Sequence, residues 1–598
     1  MRTKLGDFTT NPRRLAIISL FAALIGLAAA CVAKLLLLLI GLVTHLAYFG
    51  RPGAGLVPPD PRHFGLISIA IPVIGGLIVG VIARFGSEKI RGHGIPEAIQ
   101  SILDRDSIIQ ARVALWKPLA SAITIGTGAP FGAEGPIIMT GGAVGSLFAQ
   151  FLRLSSLERR TLLVAGAAGG MAATFGAPIA SVLIAVELLL FEWRPRSFIP
   201  VAVAAFVAEA MRTVLIGSNP PFLMLHAHLL PTSALGWALV VGICGGIVSA
   251  IMTKLVYFTE DAYEKLPIHW MWWPAIGGLV VGIGGWFVPQ ALGVGYPTIA
   301  AMLNGQLALS VVAGIIVVKI IIWIVALGSG TSGGVLAPLL MIGGAMGTLL
   351  AVLIPGHDSA AWAAIGMAAI MGGTMRAPFM ATLFAVETTH GWGLLPALFV
   401  ACVAATAFTV VFVPRSILTE KLARRGMHVA REYAVHPLEL ISIGATMRSR
   451  DTLPSFAGGV TIGEAAAQLL ERDATGTYAE YPVVEADVPV ATVSRNDLIR
   501  LARDQSQAPV ALRDVAKPAV LMHPEDRMRE AANIMARRGV RSVFVMDERG
   551  RWVGVLTSDD LLRAWKRGMA SEDRRVRVRS IRRLMGPIAR RPRSKTVS

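Results

Sequence analysis

Residues 177–187 read A-P-I-A-S-V-L-I-A-V-E, and residues 377–387 read A-P-F-M-A-T-L-F-A-V-E. One pattern, an Ala-Pro start, an apolar run and a closing Glu, stands twice in the chain. Upstream of each copy lies a Gly-rich stretch ending in Pro: G-T-G-A-P-F-G-A-E-G-P at 126–136 and G-S-G-T-S-G-G-V-L-A-P at 328–338. Two matched motifs in the same order make an internal repeat. Gly and Pro interrupting hydrophobic sequence at matching places in two halves point to a binding site near the middle of a bilayer.

Composition agrees with a membrane setting. Of 598 residues, 54% are hydrophobic and 16% charged, where soluble chains carry about 25% charged residues. The deficit lies in roughly the first 415 residues. A spanning helix needs ~20 mostly apolar residues. Clear runs are 15–42, 64–84, 197–217, 233–256, 271–289, 309–327 and 393–413. The first reads as a membrane helix rather than a signal peptide, because it is too long and lacks a small-residue cleavage site.

The net charge of +18 is gathered at the ends. Arg2, Lys4, Arg13 and Arg14 begin the chain; Arg574, Arg575, Arg577, Arg579, Arg582, Arg583, Arg590, Arg591, Arg593 and Lys595 end it. Basic flanks mark the cytoplasmic side, so both termini read as cytoplasmic, with an even number of crossings. This is not a nucleic-acid signature. The tail reads as solvated, with anionic lipid as its second reading. Cys31, Cys244 and Cys402 sit in apolar runs and read as small buried side chains.

The chain divides into a polar lead (1–12), a membrane part (13–413), a charged linker (414–437), a soluble α/β part (438–568) and a basic tail (569–598). The soluble part is also doubled. One unit ends Y-P-V-V-E-A-D-V-P-V-A-T-V-S-R-N-D-L at 481–498, the other S-V-F-V-M-D-E-R-G-R-W-V-G-V-L-T-S-D-D-L at 542–561. Each is a β run, a turn, a β run and Ser/Thr-x-x-Asp-Leu, preceded by an amphipathic helix at 461–471 or 527–538. This resembles a pair of CBS domains, the first at about 438–503 and the second at about 512–568.

Backbone amides at a helix start have no partner inside the helix, and the helix dipole adds positive charge there. A broken helix can therefore hold an anion in hydrocarbon without a full cation. Three segments suit this: G-H-G-I-P at 92–96, G-A-E-G-P at 132–136 and G-G-V-L-A-P at 333–338. In this order they resemble the three anion-pathway signatures of the CLC chloride channel and exchanger family, usually G-S-G-I-P, G-[KR]-E-G-P and G-x-F-x-P. The resemblance spans essentially the whole chain. It implies an α-helical polytopic membrane protein with an inverted internal repeat and broken re-entrant helices, joined to a cytosolic α/β CBS pair. It further implies a homodimer in a bacterial inner membrane that moves chloride or a similar small anion.

The anion ligands so implied are Gly92, His93, Gly94, Ile95, Pro96, Gly132, Ala133, Gly135, Gly334, Val335 and Leu336, with Lys117 nearby as a source of positive potential or as an interfacial cation. Glu134 is singled out by its residue type. A carboxylate in apolar sequence is expensive and marks function. Among amides that suit an anion, it can occupy the anion's place until protonation frees it. The resemblance makes Glu134 the gate. The alternative is a structural glutamate bonded to helix-start amides.

Several positions depart from the family. His93 replaces a serine; imidazole also donates a hydrogen bond and gains charge in mild acid. The alternative is a histidine turned toward backbone. Pro414 stands at the central-tyrosine position, beside Arg415. Leu188 follows Glu187 where proton-coupled members carry a second acid, and leucine carries no proton. Glu187 and Glu387 then read as helix braces. Leu336 replaces a phenylalanine while keeping its amide.

CBS pairs can hold an adenine nucleotide, ATP or AMP, whose ribose diol suits a carboxylate. Ser494, Asp497, Thr557 and Asp560 are the implied contacts, Thr557 with Asp560 matching better, and His523 and Arg541 are phosphate or ring contacts. The alternative is a pair that binds nothing and supports dimer contact.

The reading is a voltage- or pH-gated passive anion channel, not an enzyme, with protons acting at Glu134. The missing relay acid favours it over an anion/proton antiporter of the same fold. A CBS-bearing cation transporter would need acidic residues in its spans, which are scarce. An intramembrane metalloprotease would need His-Glu-x-x-His, which none of the eleven histidines forms. No metal site is expected.

Overall fold

The computed structural model describes residues 12–104, 107–152, 154–190, 192–224, 230–355, 358–425, 438, 441–473, 476, 478–504 and 508–573. The polar lead up to residue 11, residues 426–437 of the expected linker and the tail from 574 lie outside the described residues. The chain forms two units, Met1–Tyr433 and Ala434–Ser598.

The first unit is helical. Its first half runs α1 (Pro12–Phe49), α2 (Ala70–Phe85), α3 (Ile95–Asp104), α4 (Ala111–Gly126), α5 (Glu134–Gln150), α6 (Ser156–Phe175), α7 (Pro178–Ile184) and α8 (Pro195–Leu215). The second half repeats the series with α9 (Ala234–Glu264), α10 (Trp273–Phe287), α11 (Tyr296–Leu303), α12 (Leu309–Gly328), α13 (Leu336–Ala351), α14 (Ser359–Met375), α15 (Pro378–Thr389) and α16 (Leu395–Phe412). Packing repeats as well: α5 lies on α6 as α13 lies on α14, and α1 lies on α8 as α9 lies on α16. Across the halves, α2 meets α10 and α7 meets α15.

The α5–α6 crossing needs two glycines. A Cβ on Gly141 would stand 2.3 Å from the Gly166 carbonyl oxygen, and one on Gly166 would stand 2.1 Å from that of Gly141. The α13–α14 crossing repeats this with Gly343 and Gly366, at 2.4 and 2.2 Å. Lipid tails are as apolar as side chains, so close backbone approach through small residues drives such contacts.

Six helical segments are long and apolar enough to cross a membrane among the described residues. The seventh expected run, 271–289, yields only the 15-residue α10, which has Pro274 in its first turn and stops before Pro289. Helix faces without a neighbour carry exposed apolar residues such as Leu20, Ile67, Val214, Phe258 and Phe287, as a hydrocarbon solvent requires. Part of the expected linker is instead helix α17 (Ile417–Arg424). A Ser416–Thr419 capping box starts it, and Ile417, Leu418 and Leu422 are fully buried in the first unit.

The second unit holds two four-stranded sheets. One orders β2 (Phe456–Ala457), β3 (Glu480–Glu485), β4 (Val488–Ser494) and β5 (Lys517–Pro518); the other orders β1 (Arg448–Ser449), β8 (Trp552–Thr557), β7 (Ser542–Met546) and β6 (Leu521–Met522). In each, a short strand runs parallel to a hairpin, and the second hairpin strand takes an antiparallel partner. That partner is exchanged: β1, at the start of the first repeat, joins the second sheet, and β5, at the start of the second repeat, joins the first sheet. Helices α18 (Ile462–Arg472), α19 (Arg495–Arg503), α20 (Leu512–Val515), α21 (Met528–Arg538) and α22 (Ser558–Asp573) complete the unit.

Candidate anion pathway at the helix breaks

The two Gly-rich breaks meet. The Gly132 amide donates to the Gly334 carbonyl at 3.2 Å, and the Gly334 amide to the Gly132 carbonyl at 2.9 Å, in an antiparallel bridge. The starts of α5 and α13 are thereby pinned side by side. The first break joins them: a Cβ on Gly135 would lie 1.8 Å from the His93 carbonyl oxygen and 3.1 Å from Gly334 Cα. All three signature segments therefore converge on Gly135, with Ala133, Ile95, Val335 and Leu336 at most 1% exposed and Pro96 buried around it.

Glu134, the first residue of α5, is fully buried. Its Oε1 accepts a hydrogen bond from the Ala337 amide at 2.5 Å, so the carboxylate sits on the opening turn of α13. Oε2 has no hydrogen-bond partner. It would stand 1.9 Å from a Cβ on Gly132 and 2.2 Å from one on Gly334. Only glycine at both positions leaves room for that carboxylate.

Four of the expected anion ligands need correction as backbone donors, because their amides already have acceptors. Gly132 and Gly334 bind each other, and Gly92 donates to the Gly330 carbonyl at 3.3 Å. Gly94, at φ +93°, donates to Glu97 Oε2 at 2.8 Å. The opening-turn amides of α5 and α13 lack intrahelical acceptors, and the Ala337 amide among them is held by the Glu134 carboxylate.

Glu97 was not singled out in the sequence. It is the third residue of α3 and reaches back to the residue preceding that helix, the spacing of a capping box. Its other oxygen pairs with Lys421 of α17 at 2.9 Å. Lys421 and Glu97 line a cavity of about 510 Å³ that also touches Arg91, Arg424, Arg425 and Gln100. His93, beside this pair, is 4% exposed, and its Nδ1 has no partner.

Lys117 is fully buried and donates to the carbonyls of Ile90 and Gly92, at 2.8 and 2.6 Å. It is not interfacial; it ties down the loop that leads into α3. Lys319, its counterpart on α12, does the same for the loop before α11, binding the carbonyls of Ala291 and Gly293 at 2.8 and 3.1 Å. Lys319 was legible as a lone cation in the run 309–327.

The closing glutamates of the Ala-Pro helices are exchanged between the halves. Glu387 accepts from the amides of Ile179 and Ala180 at 3.0 and 2.8 Å, and Glu187 accepts from the Met380 amide at 2.9 Å. Each caps the other helix, as carboxylates suit helix starts. Leu188 is fully buried, in the π-helical turn Ala185–Leu190 that extends α7. Pro414 is exposed, and its carbonyl accepts from Arg376 at 3.3 Å. Arg415 pairs with Glu420 at 3.4 Å.

In the second unit, Asp560 is 4% exposed and both its oxygens are engaged. Thr557 donates to one at 2.6 Å, and Arg563 and Arg448 donate to the other at 2.7 and 3.1 Å. No acceptor is left there for a ribose diol, so the better sequence match is the less available one. Asp497, held by Ser494 at 2.7 Å and Arg500 at 2.8 Å, is reachable. His523 Nδ1 is bonded to the Met546 carbonyl at 3.0 Å, and the Arg541 amide donates to Glu480 at 2.8 Å. As arranged, the Thr557–Asp560 motif does not fit an adenine nucleotide.

A pair of pinned helix breaks in an apolar helical repeat, with a buried carboxylate at their junction, defines a polytopic membrane protein built around a buried polar site. Residues 75–410 match the voltage gated chloride channel family, and residues 512–567 match the CBS domain. A voltage-gated ClC-type chloride channel, ClcB of Citrobacter koseri, is 33% identical over 353 residues, covering 56% of this chain and 83% of its own. Among solved structures, a slow cyanobacterial Cl−/H+ antiporter superposes with a TM-score of 0.62 at 22% identity, covering 70% of this chain and 99% of its own. A eukaryotic CLC transporter superposes at 0.56 and 19% identity, covering 92% and 98%. The chain belongs to the voltage gated chloride channel (CLC) family and is an integral membrane protein with a CBS domain.

Proposed function

We propose that this protein conducts small monovalent anions passively, with Glu134 as the gate. The observation that carries the reading is the Glu134 carboxylate on the Ala337 amide at the opening turn of α13. A carboxylate is itself an anion, so it fills the position a permeating chloride would take. Protonation removes its charge and its hold on the amide, and the site opens.

Passive conduction is supported by three side chains. Leu188 brings a buried hydrocarbon to the relay position, Glu187 is engaged on the Met380 amide, and Pro414 carries no phenol. An anion/proton antiporter is the competing mode. Purified protein in liposomes, with chloride efflux and proton uptake recorded together, separates the two. The channel reading expects chloride efflux without stoichiometric proton movement; uphill proton uptake driven by a chloride gradient sinks it.

A further inference from the structure

Tyr296 opens α11, and two edge-on contacts fix its ring, with Phe175 and Phe222 at 5.8 and 5.4 Å between centroids. So held, its hydroxyl lies close to the Ala133 amide and within electrostatic reach of the Glu134 carboxylate. That hydroxyl is closed to solvent and donates to no acceptor, and Glu134 Oε2 accepts from no donor. Buried polar groups are nearly always satisfied, so two orphans facing one space mark a place that something else completes.

The surroundings say what kind of ligand fits. The groups around that space are the Tyr296 O–H, the amides of the α5 and α13 starts and the one carboxylate of Glu134, and the buried ammonium of Lys319, held on the Ala291 and Gly293 carbonyls, adds positive potential. With the carboxylate withdrawn, donors and positive charge remain, and these suit a monovalent anion.

We infer that the Tyr296 hydroxyl directly binds the anion that replaces the Glu134 carboxylate; the assignment rests on the reading of the Gly132–Gly334 junction as the anion site. A fixed O–H donor favours compact, strongly hydrogen-bonding anions such as chloride over diffuse ones such as thiocyanate.

The test uses full-length protein in liposomes, measuring chloride and thiocyanate efflux for wild type and Tyr296→Phe, alone and with Glu134→Gln. Phenylalanine keeps the ring and its contacts with Phe175 and Phe222. The expected result is a chloride-over-thiocyanate ratio lowered about three- to tenfold in both backgrounds. Calorimetric titration of Glu134→Gln protein with chloride should show the same fold weakening when Tyr296→Phe is added. Ratios within twofold of wild type, with normal chloride flux, overturn this assignment alone. A change confined to protein that retains Glu134 also overturns it, because the hydroxyl would then be holding the carboxylate. Wild-type protein that moves no anion overturns the pathway reading and this assignment together.

Discussion

Gly132 and Gly334 exchange two backbone hydrogen bonds, and the Glu134 carboxylate lies directly over both residues. This junction joins the halves of the repeat and positions the only unpaired carboxylate oxygen among the described residues of α5 and α13.

Glu134→Gln resembles the protonated side chain: it has no charge, and an amide binds less strongly to the Ala337 N–H than a carboxylate. Wild-type chloride efflux should rise on acidification, because protonation empties the site. The variant should be faster at neutral pH and flat with pH. Efflux measured between acid and neutral pH decides this; retained acid activation excludes Glu134 as the gate.

Gly334→Ala places a methyl 2.2 Å from Glu134 Oε2, 2.6 Å from the Gly132 carbonyl oxygen and 2.8 Å from the Gly135 nitrogen. Two of these neighbours are backbone and cannot yield without parting the breaks. Chloride flux should fall at least about tenfold, while Gly459→Ala, with open space around it, should leave flux unchanged. Normal flux in Gly334→Ala would show that the junction is not on the pathway.

Lys421→Met leaves the Glu97 carboxylate buried with its amide bond but without its ion-pair partner. Breaking one side of a buried pair costs about 3–5 kcal/mol, whereas removing both costs far less. Thermal unfolding in detergent should therefore show Lys421→Met as strongly destabilised and Glu97→Gln/Lys421→Met as largely recovered. Additive effects of the two changes would mean that the pair does not act as a unit.

Glu480 accepts from the amides of Arg541 and Ser542, both at 2.8 Å, and so ties the two repeats of the second unit together. Burial pushes its carboxyl above the usual value, with the two amides opposing. A raised carboxyl binds its proton more tightly folded than unfolded, so its ionisation weakens the fold as pH rises through the raised value. Glu480→Gln keeps an oxygen acceptor and drops the charge. Its stability relative to wild type should be greatest at neutral pH and shrink as pH falls from the raised value toward the usual carboxylate value. Melting curves at several pH values check this, and a difference independent of pH counts against it.

Much of the site was legible in the chain because membrane sequence is unforgiving. Hydrocarbon penalises every unsatisfied amide and every lone charge, so the Gly-rich breaks, Glu134 and the Ala-Pro repeat stand out from their apolar surroundings. The brace reading of Glu187 and Glu387 rested on the same logic, but not their exchange between halves, since sequence spacing says nothing about which helix start lies opposite.

Glu97, Lys421 and Tyr296 were passed over for a related reason. Glu97 looks like an ordinary capping residue, Lys421 like linker charge, and Tyr296 like any core aromatic. Their roles follow only when α17 folds onto α3 and α11 turns its hydroxyl toward α5. Likewise, glycine motifs suggest amides for a ligand, yet the bridge gives those of Gly132 and Gly334 to each other.

By itself, then, the sequence determined the membrane repeat, the breaks, the doubled α/β part with its CBS domain and the residue to suspect first. Those follow from local composition and period. Tertiary structure decided which amides are taken, which carboxylates are paired and which hydroxyl is orphaned, because hydrogen bonds are short and directional and their partners lie far apart in the chain.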